Sequence, residues 1–115
     1  MHELSIVDAI IDQVQQEVEQ AEARGRVVRL ELAIGHLSGV NPDSIRFGFE
    51  LLSPGTVLDG AELRIRQPAA LSVCRDCGAR IEIEELAVAC PQCSSGEITI
   101  EGGRDLLLET IELEE

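Results

Sequence analysis

Four cysteines and a histidine at the second position carry the sequence's chemistry. Cys74-Arg75-Asp76-Cys77 and Cys90-Pro91-Gln92-Cys93 form two C-x-x-C knuckles, with twelve residues between the pairs. Each knuckle places two sulfurs on one side of a turn, and four thiolates at this spacing can surround a tetrahedral ion. Gly78 allows a tight turn after the first pair. Such a cluster in a reducing compartment reads as structural zinc rather than two disulfides, with a redox or iron–sulfur site as the other possibility. A thioredoxin-type motif needs one C-x-x-C opening a helix after a strand, whereas two matched pairs stand here among short β-like runs. Four Cys ligands leave zinc no open position, so the site holds structure and does not activate water.

The chain starts Met1-His2-Glu3. With the initiator Met retained, the α-amine, the deprotonated His2 amide and the His2 imidazole close two fused chelate rings in one plane. The Glu3 amide or another His completes a square, a geometry suited to nickel(II) or copper(II) and not to zinc. The bland reading of His2 is a terminal residue with no role. His36, in the Gly35–Gly39 loop, is the one other histidine. It is a distant nitrogen donor at most, and on the plain reading solvent-exposed or satisfied by backbone.

The rest of the sequence must position these groups. Leu4, Val7, Ile11, Val14, Val18 and Ala21 recur at helical spacing and predict an amphipathic helix over 4–24. Ser5 and Asp8 resemble a capping box, and Gly25 is the expected left-handed terminator. Residues 26–34 then alternate, with Val28, Leu30, Leu32 and Ile34 on one face, which predicts a half-buried strand. Asn41-Pro42-Asp43 is a strong helix start, and Ile45, Phe49 and Leu52 give that helix an apolar face up to Pro54-Gly55. A strand follows over 61–67 with Ala61, Leu63 and Ile65 inward. The cysteine-rich stretch carries β-like runs at 71–73, 80–83, 86–89 and 97–101. A last strand over 105–114 has imperfect alternation, with Leu107, Ile111 and Leu113 sharing a face with Glu109, as a bulge or an edge position would produce.

These elements predict an α+β fold: a small sheet of about three strands covered by two helices, with an inserted zinc-ribbon subdomain. The expected boundaries are 1–68 with 104–115 for the α+β domain and 69–103 for the insert, hinged at Pro68 and Gly102-Gly103.

Composition narrows the partners. The 115 residues carry a formal charge of −13, and every basic residue is Arg. That balance disfavours phosphate-backbone binding, and two phenylalanines give too few stacking platforms for single-stranded nucleic acid. Hydrophobic residues at 44% allow a core, yet no stretch is long and apolar enough to span a membrane, and the N-terminus lacks a signal pattern. A soluble, cytoplasmic protein is expected. No Ser/His/Asp or Cys/His constellation, phosphate-cradling glycine loop or open metal site suggests an enzyme.

Taken together, Met1-His2-Glu3-Leu4-Ser5, Ile34-Gly35 with Leu37-Ser38-Gly39-Val40, Phe47 to Glu50, the two knuckles, and the Gly103-to-Leu106 lead into Ile111-Glu112-Leu113-Glu114 resemble the HypA/HybF family across essentially the whole chain. These are nickel metallochaperones for [NiFe]-hydrogenase maturation. The resemblance implies a nickel-binding α+β domain with a zinc ribbon near its C-terminal strand. It implies His2 as principal nickel ligand with backbone nitrogen from Met1 and Glu3, and zinc on Cys74, Cys77, Cys90 and Cys93. It also implies delivery of Ni(II) to the hydrogenase large subunit together with a HypB-type GTPase; some relatives serve urease. No His lies between residues 70 and 115, so an intramolecular fourth histidine ligand has to be His36. The competing expectation is a zinc-ribbon adaptor for protein contacts with no nickel role.

Overall fold

The computed structural model describes residues 3–22 and 25–114. Met1 and His2, the first two residues of the expected nickel site, lie outside them. The elements are α1 (Glu3–Gln20), β1 (Val27–Ile34), α2 (Pro42–Leu52), β2 (Glu62–Arg66), β3 (Ala70–Cys74), β4 (Arg80–Ile83), β5 (Ile98–Glu101) and β6 (Leu106–Leu113). They form two helices and two three-stranded sheets, ordered β2-β1-β6 and β4-β3-β5. The chain divides into two compact units, 1–32 with 40–65 and 107–115, and 33–39 with 66–106.

In the first unit the α1 stripe buries Val7, Ile10, Ile11 and Val14, and α2 buries Ile45, Gly48 and Phe49. Their apolar faces share a core with Val27, Leu30 and Leu32 of β1 and with Leu58. The two helices approach closely at Gly48, where a Cβ would lie 3.0 Å from Val7 Cγ2 and 3.2 Å from Leu4 Cδ2. The Asn41 side chain caps α2 by accepting from the Asp43 N–H at 2.8 Å and the Ser44 N–H at 3.4 Å, with Pro42 opening the helix. This satisfies donors that the first turn leaves without partners.

Several expectations are corrected. Because α1 begins at Glu3, Ser5 stands inside the first turn and cannot cap it. The helix stops at Gln20, and the left-handed residue beyond it is Glu22 (φ 54°), not Gly25. Gly25 serves close approach instead, since a Cβ there would sit 2.1 Å from the Glu114 carbonyl oxygen. In β6 the inward residues are Leu106 and Leu108, then Ile111 and Leu113. The phase therefore slips by one between Glu109 and Thr110, which leaves Leu107 exposed. Such a slip is tolerated because β6 lies at a sheet edge, with neighbours on one side only.

In the second unit β3 is central, pairing antiparallel with β4 (Ser72 opposite Ile81) and with β5 (Ser72 opposite Ile100). Residues 86–89 are not a strand and pair with none of β3, β4 and β5. Val88 is accordingly 88% exposed. The 33–39 loop is tied within this unit by Gly35 N–H to the Asp105 carbonyl at 2.9 Å, His36 N–H to Pro68 at 3.0 Å and Leu37 N–H to Gly103 at 2.7 Å.

Candidate metal centre

The cysteine cluster grows from two near-identical turns. The first knuckle closes through Gly78 N–H to the Cys74 carbonyl at 3.1 Å, and the second through Ser94 N–H to the Cys90 carbonyl at 2.9 Å. Each then needs a left-handed residue: Gly78 at φ 76° and Ser94 at φ 66°. The glycine was readable in the sequence, whereas the serine in the equivalent place hid the symmetry. Side chains lock the turns together, with Arg75 on Glu97 at 2.8 Å and the Ser95 hydroxyl donating to Asp76.

All four sulfurs lie within 4.8 Å of one another, Cys74 being 3.6 Å from Cys93 and Cys77 3.7 Å from Cys90. Disulfide bonding requires ~2.05 Å, so these are four free thiols. A tetrahedral zinc with Zn–S bonds of ~2.3 Å has sulfurs ~3.8 Å apart, which matches these separations. Cys74 and Cys90, the first of each pair, are buried, and Cys77 and Cys93 are exposed.

Their protonation divides in the same pattern. The Cys90 sulfur accepts from the N–H groups of Cys93 at 3.4 Å and Gln92 at 3.3 Å, which together outweigh burial and pull its thiol down to about 7. The Cys77 N–H, 3.4 Å from the Cys74 sulfur, likewise lowers Cys74 against the effect of burial. At Cys93 the Ser95 N–H also favours the thiolate, but desolvation of its sulfur within the cluster and the three neighbouring sulfurs prevail and raise it to about 12. Cys77 is raised for the same reason, its favourable Ala79 N–H being outweighed by desolvation and by Cys90 and Cys74. Four thiolates this close repel one another, so a bound cation is what lets the second cysteine of each pair ionise. The donor set therefore fits a divalent, thiophilic ion.

Glu3 is exposed in the first turn of α1. Its amide is among those a helix start leaves without an intrahelical partner. His36 keeps its ring a quarter exposed, with Nε2 3.4 Å from a carboxylate oxygen of Glu84, a partner that sequence reading did not suggest. It missed Arg29 as well: β1 carries this residue between Glu62 of β2, 3.1 Å away, and Glu112 of β6. In the sequence these three are separate charges on three strands, and only the strand order brings them together.

Fold and site define a small α+β metal-binding protein whose second sheet carries a four-thiol centre. The family model for hydrogenase/urease nickel incorporation metallochaperones, HypA, matches residues 1–113. The chain belongs to the HypA family and is a nickel metallochaperone of hydrogenase maturation. It is 40% identical over 115 residues to the hydrogenase maturation factor HypA of Chlorobium limicola, covering 100% of this chain and 98% of that protein. The homologue from Chlorobaculum parvum is 38% identical over 114 residues, covering 99% of this chain and all of that protein. The solution structure of the Ni metallochaperone HypA from Helicobacter pylori has the same fold, with a TM-score of 0.68 at 24% identity over 98% of this chain and 97% of that one. Among the described residues no helix is long and apolar enough to cross a membrane.

Proposed function

We propose that this chain carries Ni(II) as cargo on Met1, His2 and Glu3 and keeps Zn(II) as a resident structural ion on Cys74, Cys77, Cys90 and Cys93. The nickel-binding domain is 1–68 with 104–115, and 69–103 is the zinc ribbon. The α-amine, the His2 amide and the His2 imidazole provide the planar nickel chelate; Glu3 adds backbone nitrogen. The chain catalyses no reaction. It works in the cytoplasm, with a HypB-type GTPase, to supply the large subunit of a [NiFe]-hydrogenase.

The observation that carries the reading is the match to the nickel-incorporation family over residues 1–113. The four-thiol centre supports the division of labour. A closed tetrathiolate has no vacant position and couples metal release to unfolding. A chelate on a chain terminus stays open to incoming ligands, so an acceptor can take the ion by stepwise exchange.

Metal analysis and nickel titration on protein with its native N-terminus test this. His2→Ala and an N-terminal extension are each expected to abolish the planar nickel spectrum while one zinc remains bound. Nickel binding unchanged in both variants overturns the N-terminal site.

A further inference from the structure

The first turns of α1 and α2 bound an open cleft of about 540 Å³, lined by Glu3, Leu4, Asp43, Ser44 and Phe47. Its apolar wall is unusual for so acidic a surface. Phe47, one of two aromatic residues in the chain, is 62% exposed, and Leu51, one turn further along α2, is 56% exposed. Leu4 reaches over from α1 to the α2 backbone at Gly48 and is 43% exposed. Single exposed leucines are ordinary, but a phenylalanine and two leucines arranged along two helix faces form an anchor surface.

The charge beside that surface has one sign. Glu3 and Asp43 line the cleft, and Glu50 is exposed next to Leu51. The single cation of α2, Arg46, donates instead to the Leu63 carbonyl of β2 at 3.1 Å. An anionic partner, or one without apolar side chains, meets either repulsion or an unfilled cleft. We propose that this cleft is the docking site for a protein segment that presents apolar anchors flanked by Lys or Arg. The proposal rests on the carrier reading above in one respect. Glu3 belongs both to the cleft wall and to the proposed nickel chelate, so a segment seated here stands beside the cargo.

The test uses zinc-loaded full-length protein and a synthetic amphipathic peptide with leucines on one helical face and arginines at its flanks. Its partner peptide has glutamate in place of arginine. Fluorescence anisotropy is expected to show saturable binding of the cationic peptide and at least ~10-fold weaker binding of the acidic one. The double variant Phe47→Ser/Leu51→Ser is expected to weaken the cationic peptide at least ~10-fold. The control Leu86→Ser/Val88→Ser removes another exposed apolar pair, next to Glu84 and Glu85, and is expected to leave binding unchanged. Equal affinity in wild type and the Phe47/Leu51 variant, or equal loss in both variants, overturns the proposal. A wild-type dimer that the Phe47/Leu51 variant dissociates in sedimentation assigns the face to a second copy, and overturns it too. Nickel titration of the same samples separates the two readings: absence of a His2-dependent site defeats the carrier reading while peptide binding at the cleft stands.

Discussion

Stripping the four-thiol centre of its proposed zinc should melt the second unit and leave the first folded. Large apolar side chains account for the contrast. The first unit buries Val7, Ile10, Ile11, Val14, Val27, Leu30, Leu32, Ile45, Phe49 and Leu58. In the second the buried set is Ala33, Ile34, Ala70, Ser72, Cys74 and Cys90, with Ile34 the one large aliphatic among them. Fully burying such a side chain contributes ~1.5–3 kcal/mol, so the second unit has little hydrophobic stabilisation of its own. A structural zinc contributes ~10–16 kcal/mol of apparent binding free energy, more than most domains' whole stability of ~5–15 kcal/mol. Removing it by chelation, or weakening it through Cys90→Ser, therefore removes what holds β3, β4 and β5 together. Amide hydrogen exchange reads the outcome. A loss of even ~5 kcal/mol raises the opening equilibrium more than a thousandfold. Protection at Val73, Ile81 and Thr99 should collapse while Leu30 and Leu32 stay slow. Protection of β3 that survives complete removal of the metal would mean that the sheet holds together without it.

Other consequences follow from single residues. Gly35→Ala places a Cβ 2.2 Å from the Gly103 carbonyl oxygen, itself the acceptor of the Leu37 N–H at 2.7 Å. Overpacking against rigid backbone plus a strained hydrogen bond should destabilise the metal-loaded protein by ~2–4 kcal/mol in urea melts; a neutral effect would contradict the packing. Ser72 buries its hydroxyl between Ile81 and Ile100 with no hydrogen-bond partner among the described residues. Ser72→Ala should thus be neutral or stabilising by up to ~1 kcal/mol in thermal unfolding, and a clear loss of stability would reveal a missed partner. The Glu62 carboxylate is held below its ordinary value of 4.5 by hydrogen bonds from Arg64 and Arg29. A lowered folded-state value means this contribution is present above the unfolded value and fades as pH falls through the folded one. Arg29→Gln should flatten the acid limb of stability against pH, measured by urea midpoints; an unchanged limb would show the Arg29 pairing to be inert.

What the sequence revealed depended on whether the determining interaction was local. The C-x-x-C turns and the Asn41-Pro42-Asp43 cap are set by neighbours within a few residues, and the structure forms them where the spacing placed them. The helix stripe was readable from Val7 to Val14 but missed Ile10, because the buried arc of α1 is wider than one line of residues. Long-range pairing was not readable. Residues 86–89 have strand-like composition, yet they run as irregular chain from β4 to the second knuckle, and β3 takes its partners from β4 and β5 instead. Gly25 reads as a helix terminator and Gly35 as the start of a loop, yet each is required by a backbone about ninety or seventy residues away, at Glu114 and Gly103. Phe47 stands off the stripe of Ile45, Phe49 and Leu52, and the structure leaves it exposed beside Gly48, which Val7 and Leu4 of α1 approach.

The two proposed metal sites place opposite demands on the chain. A resident ion must not leave, and the proposed zinc would meet that demand by being part of the fold. Cys74 and Cys90 are buried, their sulfurs accept backbone N–H groups, and the second unit has little else at its core. Loss of that ion would cost the unit its structure, so exchange should be slow. A cargo ion must leave on contact with an acceptor, which argues for ligands whose departure disturbs no packing. Glu3 meets that demand: it is exposed, in the first turn of α1, and no buried side chain precedes Val7 in the helix. Nickel binding and release there should leave the unfolding transition of the first unit nearly unchanged beyond simple mass action. The proposed docking surface would stand beside that cargo, since Glu3 belongs to both. A partner that seats against Leu4, Phe47 and Leu51 raises the local concentration of its own ligands at the terminus, and transfer then becomes exchange within a complex rather than release into solution.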